Sequence, residues 1–568
     1  MEVTATLGNP AQKKARTVAI GVQDFETVIK GNYFYIDKTG LIQEWWDSGD
    51  AVTLITRPRR FGKTLNMSML ERFFSNQYAG QGEIFENLAI WKNENYRELQ
   101  GTYPVLFLSF AGIKEQNIED AIESINSNLV ALYNQNRFLV EEGFLNPVEQ
   151  EQFESVAIGM SRVTAAKSIH FLCSCLHKYY GKKVIVLLDE YDTPLQEAYV
   201  NGYWKELVSF TRSLFNNTFK TNPYLERAVM TGITRVSKES MFSDLNNLKV
   251  ITMRSDKYAS YFGFTEKEVF AAMDEFDLTN KEEAKDWYDG FIIGNLRDIY
   301  NPWSVISFLD EGKLDTYWAN TSSNSLVGSL IRTGDIELKM QFEDLLQGHV
   351  IHSDIDDEMV FNQLDDHDAS AVWSLLFASG YLKMLGIQDD IYELELTNYE
   401  VRKMFESMVK GWLRKDRSHY NQFVKSMLKA DVESMNEYMN RFALSTISYF
   451  DVGEKPSDQA EPERFYHGFV LGLLVDLRDR YEIISNRESG FGRYDVMLKP
   501  LNDTDDGIIL EFKVFNSRKE DTLEETVQSA LLQIEQNQYE QTLMDQGIGK
   551  ERIRKYGFGF RGKEVLIG

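Results

Sequence analysis

Cysteine and proline are scarce in this sequence. Its 568 residues include 2 cysteines and 10 prolines. The two thiols, Cys173 and Cys175, are too few for a disulfide framework. We interpret them as buried thiols of a helix, which suits a reducing compartment and predicts a cytoplasmic location. So little proline argues against long linkers and disordered tracts.

Long apolar runs and an excess of positive charge are also missing. No stretch reaches the roughly 18 apolar residues that cross a membrane, so we expect no membrane partner. The formal net charge is −26, which excludes a protein that coats nucleic acid through general positive charge. Any contact with nucleic acid must therefore use a local basic patch. Apolar residues make up 43% of the chain, and the length predicts about three or four packed domains.

The chain does contain a candidate phosphate-binding loop. Residues 57–64 read Arg-Pro-Arg-Arg-Phe-Gly-Lys-Thr and follow an apolar run typical of a strand. Backbone N–H groups of such a turn, at Gly62 and at the start of the following helix, can surround phosphate oxygens. Lys63 would bind the β- and γ-phosphates of ATP, and the Thr64 hydroxyl would ligate Mg²⁺. The standard loop begins with glycine where this chain has Arg57.

Basic residues surround this loop. Arg57, Arg59 and Arg60 could offset the missing glycine by binding phosphate or nucleic acid. A solvated basic turn explains them nearly as well. We predict that Arg59 and Arg60 belong to the nucleotide site.

A phosphate loop needs an acidic partner at the end of a neighbouring strand. An apolar run typical of a buried central strand ends in Asp189 and Glu190. We expect Asp189 to hold Mg²⁺ and Glu190 to act as base toward the attacking water. The end of a later strand supplies Thr234 as a sensor of the γ-phosphate and Arg235 to stabilise the developing charge. For Arg235, a solvated residue in a strand-end turn is the alternative.

The order of strand and helix patterns predicts the fold. Strands alternate with helices over 17–255, which indicates an α/β protein with the doubly wound parallel sheet of a P-loop NTPase. We expect a flexible tail at 1–16 before it. Residues 256–455 read mainly as helix and predict a helical, winged-helix-like lid with a connector. Residues 456–568 form a separate α/β unit.

That last unit carries acidic residues in a spacing that suits metal chemistry. Asp495 lies near the start of one predicted strand, and Glu511 and Lys513 share one face of the next. Two carboxylates there can hold Mg²⁺, or Mn²⁺, to activate water and neutralise a phosphodiester. Lys513 can position water or stabilise developing charge. A lone Asp…Glu-x-Lys is a weak signal, because surface strands often contain it.

Together these motifs are similar to those of the bacterial AAA-ATPase-like family, whose members carry a C-terminal nuclease-like domain. The resemblance rests on 57–64, 188–192 and 231–240, and extends to 287–290 and 300–303. In that family the first glycine of the loop is commonly absent, so Arg57 follows the family pattern.

The C-terminal motif resembles the PD-(D/E)xK nuclease superfamily. The resemblance implies a further metal-binding acid on the preceding helix, for which Glu463 is the matching residue. It also implies that Gln533 and Tyr539, on the following helix, support the site. The order of helices and strands around Asp495 agrees with that fold.

We therefore expect a protein that binds and hydrolyses ATP and couples it to a metal-dependent nuclease acting on DNA or RNA. One alternative is a nucleotide-driven switch whose nuclease-like domain is an inactive binding module. A second is a loop that binds ATP but turns it over very slowly. Oligomer formation is left open.

Overall fold

The computed structural model describes most of the chain. The described residues are 15–234, 242, 245–318, 325–333, 336–356, 369–413, 417–446, 470, 474, 477, 480–485, 488–489, 492–493, 495–502, 504–516, 519–561 and 564–568. Arg235, Glu463 and nearly all of the predicted tail lie outside them. The chain divides into two compact units, Met1–Leu330 with Gly348–Arg402 and Ile331–Gln347 with Lys403–Gly568. The predicted domain boundaries stay predictions.

The first unit is built on a five-stranded parallel sheet. Its strands are β1 Val52–Thr56, β2 Val105–Ser109, β3 Val184–Asp189, β4 Leu225–Gly232 and β5 Leu248–Ile251. Their order is β2-β3-β4-β1-β5, and every neighbouring pair is parallel. Because β4 lies between β1 and β3, the ends of these three strands meet at one edge of the sheet. This edge brings together the phosphate loop, Asp189 and Thr231.

Helices precede and connect the parallel strands. They are α1 Phe25–Lys30, α2 Gly40–Ser48, α3 Lys63–Phe74, α4 Glu94–Arg97, α5 Ile118–Gln135, α6 Phe138–Glu141, α7 Pro147–Glu154, α8 Arg162–Tyr180, α9 Thr193–Val200 and α10 Trp204–Phe219. Ile55, Leu187 and Val229 of the sheet are buried in one core with Phe73 of α3 and Trp45 of α2. The predicted α/β fold is confirmed.

The rest of the first unit is a mixed region of helices and two three-stranded antiparallel sheets. One antiparallel sheet contains β6 Phe264–Thr265, β7 Phe291–Ile293 and β8 Leu296–Tyr300, and another contains β9 Ile351–Ser353, β10 Leu382–Gln388 and β11 Ile391–Leu396. Their helices are α11 Glu266–Glu275, α12 Lys281–Tyr288, α13 Pro302–Glu311 and α16 Ala369–Ala378, with α14 Ser325–Thr333 at the unit boundary. Four of these six strands have two to five residues, too few for a clear period-two pattern, whereas β11 does alternate polar and apolar residues, a signal that the helical interpretation does not use. The winged-helix-like arrangement stays a prediction.

The second unit surrounds a mixed sheet. Its helices are α15 Ile336–Gln347, the greater part of α17 Tyr399–Leu413, α18 Arg417–Leu428, α19 Val432–Thr446, α20 Leu523–Gln536 and α21 Glu540–Met544. Strands β12 Tyr481–Ser485, β15 Val496–Pro500, β16 Gly507–Val514, β17 Ile553–Arg561 and β18 Glu564–Ile567 follow the order β12-β15-β16-β17-β18, and β13 Glu488–Ser489 pairs with β14 Gly492–Arg493. Only the β16–β17 pair of this five-stranded sheet is parallel. The predicted C-terminal α/β unit is present.

Candidate functional site

The phosphate loop presents backbone N–H groups at the start of a helix. It joins β1 to α3 and turns through left-handed residues, Arg60 at φ 65° and Gly62 at φ 80°. The backbone N–H groups from Arg59 to Thr64 donate to no described residue. Such a run of N–H groups at a helix start binds anions. Arg57 is not among the residues with positive φ, so its backbone does not require glycine.

Lys63 is held inside the loop. Its Nζ donates to the carbonyl oxygens of Arg57 at 3.0 Å and Pro58 at 2.8 Å. The residue is only 4% exposed, and this burial lowers the pKa of the ammonium, while the charges of Glu190 and Asp192 oppose the shift. A bound phosphate would accept hydrogen bonds from the Lys63 ammonium in place of these two carbonyl oxygens.

Thr64 and Asp189 join the loop to β3. The Thr64 hydroxyl donates to Oδ2 of Asp189 at 2.7 Å, and the Thr231 hydroxyl of β4 donates to Oδ1. Asp189 is fully buried, and burial raises the pKa of its carboxyl although both hydroxyl donors oppose that shift. A hydroxyl and a carboxylate are oxygen ligands of the kind that Mg²⁺ prefers. The two predicted Mg²⁺ residues therefore lie in contact, and they fit this ion.

Glu190 follows Asp189 in a left-handed conformation, with φ 52°. Its N–H donates to the Thr231 hydroxyl at 3.3 Å, and its Oε2 accepts from the Thr193 hydroxyl at 3.2 Å. The side chain is half-buried. A carboxylate beside the loop and reachable by water has the placement that a base requires.

Asp192, the last residue of the 188–192 motif, lies at the same edge of the sheet. It is 4% exposed, and Oδ2 accepts from the N–H groups of Ile233 at 2.8 Å and Thr234 at 2.9 Å and from the Thr234 hydroxyl at 3.3 Å. Asp192 thus positions Thr234, the predicted γ-phosphate sensor. In the sequence, the one indication of a role for Asp192 is that it lies two residues after Glu190.

Arg57 is a buried structural residue. Its Nη1 donates to the carbonyl oxygens of Thr56 at 2.9 Å and Thr252 at 2.8 Å, and its guanidinium lies 5.6 Å from the Phe262 ring centroid. The side chain is fully buried, and burial lowers the pKa of the guanidinium. Arg57 therefore contacts the backbone that follows β5. It neither binds phosphate nor lies in a solvated turn, which were the two roles considered from the sequence.

Arg59 and Arg60 lie at the tip of the loop. Nη2 of Arg59 donates to Gln196 Oε1 of α9 at 2.9 Å, and the guanidinium of Arg60 lies 4.2 Å from the Trp303 ring centroid. Arg60 is exposed and Arg59 is half-buried. Their predicted contact with nucleotide stays a prediction.

The predicted nuclease residues converge in the second unit. Strands β15 and β16 are antiparallel, and Val496 lies opposite Leu510. The residue before Val496, Asp495, therefore lies opposite the residue after Leu510, Glu511. Oδ2 of Asp495 accepts from the Phe512 N–H at 2.7 Å. Burial raises the pKa of the Asp495 carboxyl to about 6, while that hydrogen bond opposes the shift.

Gln533 of α20 bridges the other two predicted residues. Its Nε2 donates to Oε1 of Glu511, and its Oε1 accepts from Nζ of Lys513 at 2.6 Å. Tyr539 is fully buried beside this group and accepts from Asn537 at 2.8 Å. Gln533 contacts two of the site residues, whereas Tyr539 lies between α20 and α21, and the supporting roles that the resemblance implies for both stay predictions.

The described residues contain no group of three or more Asp, Glu, His or Cys side chains arranged to hold a metal ion. Glu511, which is buried, and Asp495, which is half-buried, nevertheless supply carboxylate oxygens on adjacent strands. Mg²⁺ binds through one or two carboxylates and retains several waters, so this donor set fits it. The further acid, Glu463, lies outside the described residues.

Fold and site together define a P-loop ATPase-like unit and a nuclease-like unit in one chain. Residues 19–242 match the family model described as a predicted AAA-ATPase. Residues 461–568 match the model of the PD-(D/E)XK nuclease superfamily. The architecture predicted from the sequence motifs is confirmed.

Two known proteins show further similarity. An uncharacterized protein in the vnfD 5′ region of Azotobacter chroococcum mcd 1 is 26% identical over 401 residues, covering 68% of each chain. The structure of the ORC2 protein of Aeropyrum pernix, in ADPNP and ADP complexes, shares 10% identity and covers 70% of this chain and 97% of its own, with a TM-score of 0.22. That score is too low to support an argument. In the described part of the chain, no helix has the length and apolarity needed to cross a membrane.

Proposed function

We propose that this protein binds and hydrolyses ATP and uses the nucleotide to control a metal-dependent nuclease that acts on DNA or RNA. The observation that carries the proposal is the trio of Glu511, Gln533 and Lys513, with Asp495 facing it from the adjacent strand. A carboxylate pair beside an ammonium is the set of groups that phosphodiester cleavage needs.

At the nucleotide site, the support comes from the backbone N–H groups from Arg59 to Thr64 and from the contact of Thr64 with Asp189. The N–H groups would surround the phosphates, and Lys63 would neutralise them. Thr64 and Asp189 would hold Mg²⁺, which neutralises charge on the phosphates. Glu190 would orient and deprotonate water.

At the nuclease site, Asp495 and Glu511 would hold Mg²⁺ or Mn²⁺, and the ion supplies Lewis acidity and a more acidic water. Lys513 would stabilise negative charge on the phosphodiester, and Gln533 would keep Glu511 and Lys513 apart and oriented. Because the protein is acidic overall, with a formal net charge of −26, binding of nucleic acid should depend steeply on salt.

The test uses Lys513→Ala with plasmid DNA and RNA, with and without ATP, across Mg²⁺ and Mn²⁺. Cleavage should be lost while ATP hydrolysis is retained. Lys519→Ala removes an exposed lysine of the same unit and should cleave like the wild type. Unchanged cleavage by Lys513→Ala would show that the nuclease assignment is wrong.

A second candidate is a nucleotide-driven switch with an inactive nuclease fold. The observation that favours it is that Gln533 already engages both Glu511 and Lys513. Calorimetric titration with Mn²⁺ separates the two functions, since binding that is lost in Asp495→Asn supports the enzyme. No Mn²⁺ binding at millimolar concentration supports the switch.

A further inference from the structure

The tip of the phosphate loop is held by the mixed region that follows the parallel sheet in the first unit. The Phe61 ring packs edge-on against Phe291 of β7, with centroids 4.8 Å apart, and Phe61 is 1% exposed. The Arg60 guanidinium stacks on Trp303, as described above. Consecutive loop residues therefore contact the turn and strands of this region.

Asn301 makes the polar contact in this group. It is fully buried at the start of α13, and its Nδ2 donates to the carbonyl oxygen of Arg59 at 3.3 Å. Its Oδ1 accepts from the N–H groups of Trp303 at 2.9 Å and Ser304 at 3.3 Å, which caps the helix. One side chain thus performs two separable tasks, a helix cap through oxygen and a loop contact through nitrogen.

The loop contact fixes a peptide plane. In a trans peptide, the carbonyl of one residue and the N–H of the next point in opposite directions. Since Asn301 holds the Arg59 carbonyl on its own side, the N–H of Arg60 must point away from Asn301. That N–H belongs to the run of donors that engage no described residue. Rotation of this plane would present an oxygen to the phosphates instead of a donor.

We propose that Asn301 is a positioning residue of the nucleotide site, which orients the Arg59–Arg60 peptide for phosphate binding from outside the parallel sheet. This inference rests on the proposed ATP binding. It assigns a function to the Tyr300-Asn-Pro-Trp303 turn. The mixed region then sets nucleotide affinity through one amide group.

Asn301→Ser separates the two tasks, because serine retains a capping oxygen but is too short and lacks the amide donor. Asn280→Ser is the matched control, since Asn280 begins α12 in the same region and, among the described contacts, its side-chain amide donates to Glu283 alone. The measurement is calorimetric titration of the full-length protein with ATP and Mg²⁺. We expect the Kd of Asn301→Ser to rise about fivefold, the effect of one lost hydrogen bond, with unchanged stoichiometry.

The outcomes are distinct. A Kd equal to that of the wild type would overturn the role of Asn301 while leaving ATP binding intact. A lower stoichiometry at unchanged Kd would show a folding defect and would also overturn it. No binding of ATP by the wild type would instead contradict the proposed function. Should Asn301→Ser not fold, Asn301→Asp keeps the cap and removes the donor, and the same weakening is expected.

Discussion

The hydroxyl of Thr64 donates a 2.7 Å hydrogen bond to Oδ2 of Asp189, a residue 125 positions further along the chain. This contact joins the start of α3 to the end of β3. It places the two predicted Mg²⁺ ligands in contact within the protein itself, so the ion would bind without a large rearrangement of either element.

Lys63→Ala should weaken ATP binding by about 10- to 100-fold, because a charged hydrogen-bond donor to the phosphates is lost. Fluorescence titration with a labelled ATP analogue measures the affinity. Lys92→Ala, which removes an exposed lysine of the same unit, is the control and should bind like the wild type. Full affinity in Lys63→Ala would contradict nucleotide binding at this loop.

Arg57→Met should lower the free energy of unfolding by about 2–4 kcal/mol, because the carbonyls of Thr56 and Thr252 lose their donor. Urea denaturation measures the change. Arg97→Met alters an exposed arginine and should cost less than about 0.5 kcal/mol. A stable Arg57→Met with greatly weakened ATP binding would favour a direct phosphate contact and contradict the structural role.

The stability of Asp495→Asn relative to the wild type should depend on pH. Burial raises the pKa of Asp495 from 3.8 to about 6. The folded wild type therefore prefers the neutral carboxyl and loses stability as pH rises from about 4 through 6. Asparagine does not ionise, so the variant should gain up to about 3 kcal/mol relative to the wild type between pH 4 and pH 7. Denaturation in EDTA checks this, and a difference independent of pH would refute it.

Gln533→Ala should reduce cleavage by about 10- to 100-fold, the usual effect of losing a group that orients metal ligands. Glu511 and Lys513 would then pair directly or turn away, since the amide no longer separates them. The measurement is the rate of plasmid cleavage at saturating Mg²⁺. Gln541→Ala, on α21, removes a glutamine that contacts only Asp545 among the described contacts and should leave the rate unchanged. An unaltered rate in Gln533→Ala would show that the bridge is dispensable.

The sequence predicted the elements that carry the loop and the acidic residues. The apolar run before residue 57 and the helix after the loop are observed as β1 and α3, and Asp189 ends β3. These predictions succeeded because apolar runs, a glycine at a left-handed turn and strand-end carboxylates are local signals.

Other features depend on long-range contacts. Nothing near Arg57 in the sequence shows that the carbonyl of Thr252 would accept its hydrogen bond, and nothing near Asn301 indicates Arg59. The position of β4 between β1 and β3 likewise depends on which strands pair in the folded protein. Such contacts between segments distant in the sequence have no local pattern.

The left-handed backbone conformation of Arg60 and Glu190 lowers the stability of the folded protein. Glycine would adopt these φ angles, 65° and 52°, more easily by about 1 kcal/mol at each place. Glu190→Gly should therefore fold at least as stably while losing the base. The chain therefore carries backbone strain at two of the positions that the proposed ATP site would use.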